Sequence, residues 1–370
     1  MSITIVHQGP SSFPVIYDRG GAVERRMVEL AASQAANGHT VFIMSGDQHD
    51  SLSTHRGIYV QSIKLKSRRP IRDYEFLLKA RHYLRQIDPD ILHYHGAQQG
   101  ARFSKAIKAQ KVLSVDFFRY RGSESRILYD HYRRSLRLFQ RILPVSDACR
   151  TDFLNYWGTV YSTTTLYNGV DIVQFAPDAG LRHTKRQELG IDGLIVLYVG
   201  RLCSQKGTDI LLRAWRGSAP LRATLLLTGP VGQFGLRNPV GMSIPGDLEQ
   251  VRYLGAVPDS ELAALYNACD IFVMPTVHDE MFGMAALEAE ACGKPIIASH
   301  LGGLSEVVSD RSGIFIAPGD AEALGEAIHF LADNPAIRSE MGIAAREHAL
   351  RFSWQAIASD SIRIYNSLTC

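Results

Sequence analysis

At 370 residues the chain is longer than a single hydrophobic core usually organises, which points to two domains, and 46% hydrophobic with 21% charged residues describes a globular protein rather than a disordered or fibrous one. No stretch reaches the roughly 20 apolar residues of a membrane span, and the start MSITIVHQG lacks the basic-then-apolar pattern of a signal peptide, so a cytoplasmic address is expected. The net charge of +3 is unevenly divided: residues 1–171 hold 24 Lys and Arg against 15 Asp and Glu, a local +9, and the remainder carries −6.

In chain order, ITIV reads as a strand, and GAVERRMVELAASQAANG as a helix with Val23, Met27, Leu30 and Ala31 on one face. Then come TVFIM, a helix near Tyr74–Gln86, DILHYH, a helix near Gln99–Ala109, VLSV, a long helix near Ser123–Phe139 and ILPVS. The alternation restarts after YNGVD with LIVLYVG, a helix near Thr208–Arg216, ATLLLTG, VRYLG, a helix near Asp259–Ala268, DIFVMP, a helix in GMAALEAEACG, PIIAS and GIFIA. Helices near Ala321–Ala332, Pro335–Arg351 and from Ser353 close the chain. Strands alternating with helices predict parallel sheets covered on both faces, here two doubly wound sheets in series. The polar, Pro- and Gly-bearing APDAGLRHTKRQELGIDG, Ala176–Gly193, is the expected connection.

Five widely spaced cysteines form no C-x-x-C pair, which argues for reduced thiols and against a structural zinc site. His93 and His95 fall on one face of ILHYHG; with no third ligand in view they read as structural, and no metal is expected. The arginines of KSRRPIR, Lys66–Arg72, and of Phe118–Arg141 suit a phosphorylated acceptor, an anionic membrane surface or nucleic acid, or form a solvated helix face.

Two constellations carry chemistry. In EMFGMAALEAEACGKP a helix starting near Gly283 or Met284 leaves the amides of about Phe282–Ala285 unpaired at the positive end of its dipole, a ready anion site. Glu280 precedes that helix and Glu288 lies one turn inside it; carboxylates do not bind phosphate, but they accept hydrogen bonds from hydroxyls. A diphosphate flanked by polyols, as in a nucleotide sugar, fits both demands. In YVGRLCSQKG, Arg201 and Lys206 lie between a strand ending at Gly200 and the next helix, where they can neutralise a departing diphosphate without a metal.

With these motifs, and with GGAVERRMVELAASQAANGHTV, YNGVD and YLGAVPDSELAALYNACDIFVMPT in the same order, the chain resembles family-4 retaining glycosyltransferases of the GT-B fold. The resemblance implies two Rossmann-like domains facing each other across a cleft. Residues 1–175 would form the acceptor-side domain, with 353–370 packing back on it, and 176–352 the nucleotide-sugar domain. It implies that Glu288 holds the ribose, that Glu280 meets donor-sugar hydroxyls, and that Met281, Phe282, Gly283, Met284 and Ala285 cradle the sugar and diphosphate. Arg201 and Lys206 become counter-charges to the diphosphate, Gly20 and Gly21 a closing glycine loop, and Gly200 and Val257 the rest of the donor-binding set. Asp116 stands where many relatives carry a histidine, and would contact a donor-sugar hydroxyl or the acceptor. The implied reaction moves a sugar from a UDP- or GDP-sugar to a hydroxyl of a saccharide, lipid-linked or small-molecule acceptor, with the nucleotide sugar as co-substrate and no metal or other cofactor. A peripheral position at the inner membrane face is compatible with the basic half, and no nucleic-acid partner is implied. An epimerase or phosphorylase of the same fold, or a non-catalytic carbohydrate- or nucleotide-binding protein, are the alternatives.

Overall fold

The computed structural model describes residues 2–9, 22–47, 49–67, 71–96, 100–116, 126–218, 220, 222–232, 250–278 and 280–369. The chain divides into two compact units, Met1–Gly169 together with Trp354–Cys370, and Val170–Ser353.

The first unit runs β1 (Thr4–Gln8), α1 (Ala22–Ala36), β2 (Thr40–Asp47), β3 (Ser51–His55), β4 (Ile58–Lys64), α2 (Ile71–Ile87), β5 (Ile91–His95), α3 (Gly100–Phe103), β6 (Gln110–Val115), α4 (Arg126–Leu136), β7 (Arg141–Pro144) and α5 (Asp147–Trp157). Its sheet has the order β3-β4-β2-β1-β5-β6-β7, parallel except for the β3–β4 pair. That hairpin turns at Arg56, whose φ is +48° and whose guanidinium forks onto Glu29 at 2.6 and 2.9 Å. Val-, Ile- and Leu-rich strands are buried on both faces, as a helix-covered parallel sheet requires. The final helix returns to this unit, packing Trp354, Ile357, Ala358 and Tyr365 into one core with Met27, Leu30 and Ala31 of α1 and Ile5 and Ile91 of the sheet.

The second unit runs α6 (Ala179–Leu189), β8 (Leu194–Val199), α7 (Thr208–Ser218), β9 (Ala223–Thr228), β10 (Val251–Tyr253), α8 (Asp259–Ala268), β11 (Ile271–Met274), α9 (Met284–Ala291), β12 (Ile296–Ser299), α10 (Leu304–Val307), β13 (Gly313–Ile316), α11 (Ala321–Asp333) and α12 (Pro335–Ala349); the returning helix of the first unit is α13 (Trp354–Thr369). Its strands, in the order β10-β9-β8-β11-β12-β13, are all parallel, the doubly wound arrangement whose direction of growth reverses between β8 and β11. Leu211, Trp215, Leu225, Leu227, Val273, Ile297 and Leu331 centre its core.

The segment Ala176–Gly193 is not an open connection. It folds as α6, capped by Asp178 through Leu181 N at 2.9 Å and closed at Gly190. No residue of α6 itself is buried, because Arg182 and Arg186 attach the helix by pairing with Asp270 at 2.6 and 3.1 Å in place of an apolar stripe. The helix expected near Gln99–Ala109 is also shorter, Gly100–Phe103. Among the described residues, no helix is long and apolar enough to cross a membrane.

Candidate active site

The second unit gathers most of the sequence-derived residues at the carboxyl ends of its strands. Beyond β8 the chain enters the Gly200–Gly207 loop, which is fastened to the loop after β11: Val277 N and Thr276 Oγ1 both donate to Gln205 O at 3.1 Å. Gly207 makes this approach possible. Its φ is +69°, and a Cβ there would lie 1.8 Å from Pro275 O, so no other residue fits. The fastening sets Lys206 beside Glu280, with Nζ 2.5 Å from Oε2, and the two side chains keep 25% and 14% exposure, open enough for a ligand to share them. Tyr198 OH donates to Arg201 O at 2.7 Å, which fixes the turn that carries the half-buried Arg201. Val257 follows β10 in a turn that Gly229 N and Thr228 Oγ1 tie to the end of β9, each donating to Gly255 O at 2.8 Å.

Gly283 is the N-cap of α9, at φ +101°, and no side chain caps that terminus. Met281 and Phe282 are buried, while Met284 and Ala285, in the first turn, are half-buried. The cradle is held from behind by Gly302 and Gly303. A Cβ on Gly302 would meet Glu280 O at 2.4 Å and one on Gly303 would meet Met281 O at 2.2 Å, and Gly303 N donates to Glu280 O at 2.8 Å. One turn into the helix, Glu288 is 3% exposed and accepts from Tyr266 OH at 2.9 Å, a bond that orients its carboxylate. Glu290, on the far side of α9, is fully buried; burial raises its pKa, against hydrogen bonds from His348 at 2.9 Å and from Ser312. Tyr266 and the Gly302-Gly303 pair are parts of this site that the sequence alone does not single out. The glycine pair is visible as a dipeptide after a predicted strand, whereas Tyr266 looks like any helix residue.

In the first unit, Asp116 sits at the carboxyl end of β6, 19% exposed, paired with Arg26 of α1. Gly20 and Gly21 lie outside the described residues. His93 and His95 are joined by a third histidine, His7 of β1, and one nitrogen from each ring falls within 4.8 Å of the others. Their hydrogen bonds form a directed chain. Ser361 Oγ donates to Ala358 O at 2.6 Å and accepts from Gln34 Nε2 at 2.8 Å. Tyr365 OH also accepts from Gln34 Nε2, so its own hydrogen goes to His93 Nδ1 at 2.6 Å, and His93 Nε2–H donates to Ser114 Oγ at 2.7 Å. Gln34 Oε1 accepts from His7 Nε2–H at 2.7 Å, which leaves His7 Nδ1 to accept from His95 Nε2–H at 2.9 Å. All three rings are then neutral Nε2–H tautomers. Burial above all holds them so: His7 is lowered to about 4 by burial and the Arg26 charge despite the opposing Gln34 bond, and His93 and His95 lie well below the ordinary histidine value through burial, then their neighbouring histidines, then Arg26. Of the six ring nitrogens, His95 Nδ1 alone lacks a partner. The His93 and His95 rings stack at 4.2 Å, so the cluster is a hydrogen-bonded relay, not three lone pairs converging on one point.

Two doubly wound α/β units, each on a wholly or mainly parallel sheet, are the arrangement of the GT-B fold. The structure superimposes on sucrose-phosphate synthase from Thermosynechococcus elongatus with a TM-score of 0.80, 24% identity and 99% of each chain covered. On Anabaena HepE in complex with UDP-glucose the TM-score is 0.78, at 20% identity over 99% of this chain and 100% of that one. Residues 19–174 match the model of glycosyltransferase family 4, and residues 182–348 that of glycosyl transferases group 1. The chain belongs to the family-4 glycosyltransferases of the GT-B fold. Among curated relatives, the D-inositol 3-phosphate glycosyltransferase of Saccharomonospora viridis is 35% identical over 215 residues, 54% of this chain and 49% of that protein. The D-inositol 3-phosphate glycosyltransferase 2 of Catenulispora acidiphila is 33% identical over 241 residues, 61% and 56%. The chain thus spans about half the length of the curated relatives it matches.

Proposed function

We propose that the chain is a retaining, metal-independent glycosyltransferase that moves a sugar from a UDP- or GDP-sugar to an acceptor hydroxyl. The observation that carries this reading is the Lys206–Glu280 pair beside the uncapped N-terminus of α9, with Glu288 one turn inside. In the proposed roles the amides of Met281–Ala285 and the helix dipole take the diphosphate, Glu288 takes the ribose, and Glu280 takes sugar hydroxyls. The bond from the sugar C1 to the phosphate oxygen breaks as the bond to the acceptor oxygen forms on the same face, and the acceptor proton passes to the departing phosphate oxygen. Lys206 and Arg201 stabilise the charge that grows on the diphosphate, so no metal is required for that step. Gly20, Gly21, Gly200 and Val257 complete the donor contacts, and Asp116 receives a substrate hydroxyl.

The basic first half supports a phosphorylated acceptor. The names of the relatives, which specify an inositol phosphate or a sugar phosphate, favour it over an anionic membrane surface. The exposed Arg133, Arg134 and Arg137 are available to such a phosphate. A cytoplasmic site of action belongs to the same reading.

The test is a thermal-shift screen of UDP-glucose, UDP-N-acetylglucosamine and GDP-mannose, followed by transfer to phosphorylated and unphosphorylated sugars and inositols, with and without EDTA. A product whose anomeric proton keeps the donor's configuration, formed equally in EDTA, is expected. Stabilisation by none of the three donors, or an inverted product, overturns the reading.

A further inference from the structure

The Arg26 side chain is 4% exposed and bridges three segments of the first unit. It stands in the second turn of α1; its Nη1 pairs with Asp116 Oδ1 at the end of β6, and its Nη2 donates to Leu166 O at 3.1 Å, beyond β7. Leu166 is itself pinned, its N donating to Pro144 O at 2.9 Å. A planar fork with separated donors is what such a bridge needs, since a lysine ammonium offers one point charge.

The pairing leaves the carboxylate unequally used. Asp116 Oδ1 is engaged by Arg26, while Oδ2 is enclosed and has no donor among the described residues. The Asp116 side chain as a whole keeps 19% exposure. The oxygen sits at the carboxyl end of a parallel strand, the edge of an open α/β sheet where ligands bind. Arg26 also faces the histidine relay, whose neutral rings carry no charge to compete with Asp116 for the guanidinium.

We propose that Arg26 is a positioning residue: it clamps Asp116 by Oδ1 and by the Leu166 anchor, and so fixes the orientation in which the partly exposed carboxylate meets a carbohydrate hydroxyl. This rests on the glycosyltransferase reading and adds to it a residue that the binding motifs do not contain.

The experiment compares the full chain with Arg26→Lys, Arg26→Met, Asp116→Asn and the double variant Arg26→Met/Asp116→Asn. It records melting temperature, UDP and GDP affinity by calorimetry, and kcat and KM with whichever of UDP-glucose, UDP-N-acetylglucosamine or GDP-mannose the wild type uses. Arg26→Met should lower the melting temperature, because it strands the Asp116 charge, and should cut kcat by 10- to 100-fold while nucleotide affinity changes less than 2-fold. The double variant should recover most of the melting temperature yet remain as slow as the slower single variant, since both changes remove one function. Arg26→Lys should recover stability more than turnover. Additive losses in the double variant, or Arg26→Met turning over at the wild-type rate per folded molecule, overturn the Arg26 role alone. A wild type that binds neither UDP nor GDP overturns the parent reading, and the Arg26 role with it.

Discussion

The histidine relay makes the stability of the first unit depend on pH in a direction that can be worked out. His7 titrates near 6.5 in an unfolded chain and near 4 in the folded one. The folded-state value is depressed, so between those values the unfolded chain binds a proton that the native one refuses, and stability falls as pH is lowered. For His7 alone the loss is about 1.4 kcal/mol at pH 5.5 and about 3 kcal/mol by pH 4, each tenfold difference in proton affinity being worth about 1.36 kcal/mol. His93 and His95 are displaced in the same direction and add to it. Against a typical domain stability of about 5–15 kcal/mol the effect is large. Because the chain has two units, the assay must address one of them: exchange protection of β1, β5 and α13 amides, read by mass spectrometry at pH 7.5, 6.5 and 5.5 with intrinsic exchange rates corrected for. Protection should fall with pH in the wild type, and the fall should be shallower in His7→Gln by up to about 1.4 kcal/mol at pH 5.5. Equal protection of the wild type at pH 7.5 and 5.5 would refute the assignment of three buried neutral rings.

Glu288→Gln keeps an oxygen for Tyr266 OH but gives up the charge, so the melting temperature should hardly move while UDP affinity falls by about 1.5–3 kcal/mol, the worth of a charge-assisted hydrogen bond, measured by calorimetry. Gly207→Ala, whose Cβ would lie 1.8 Å from Pro275 O, should cost about 2–4 kcal/mol of second-unit stability in urea unfolding and abolish transfer. Lys206→Ala should lower kcat by about 100-fold and donor affinity by less, because charge on the diphosphate grows towards the transition state. Equal losses in both would reassign Lys206 to ground-state binding.

What the sequence makes legible is what period and terminal chemistry encode. Buried strands such as ILHYH and LIVLYV, the Gly283 helix start and the Glu280/Glu288 spacing are readable from local pattern and stand at the carboxyl edges or cores expected of them. What escapes is held by contacts between distant residues. Helix α6 has no apolar stripe because two arginines reach some 85 residues along the chain to Asp270, and period analysis cannot see that attachment. His7 lies 86 and 88 residues from His93 and His95; only the parallel register that sets His7 beside His93 makes them one cluster. The β3–β4 hairpin escapes for a different reason: its strand Ser51–His55 is polar and exposed, so it carries no alternation to detect.

The first unit is discontinuous in the chain, and this has a consequence for its biogenesis. Residues 1–169 emerge first, but the Trp354, Ile357 and Tyr365 side chains that close their core, and the hydroxyl that caps the histidine relay, are made only after all 184 residues of Val170–Ser353. Domains generally fold in order of synthesis. Here the second unit can complete itself while the first waits with the α1 face that receives α13 uncovered. The nascent first half is therefore the stage at which chaperone dependence and aggregation should concentrate, and in which a lesion in the last helix would act at the opposite end of the sequence.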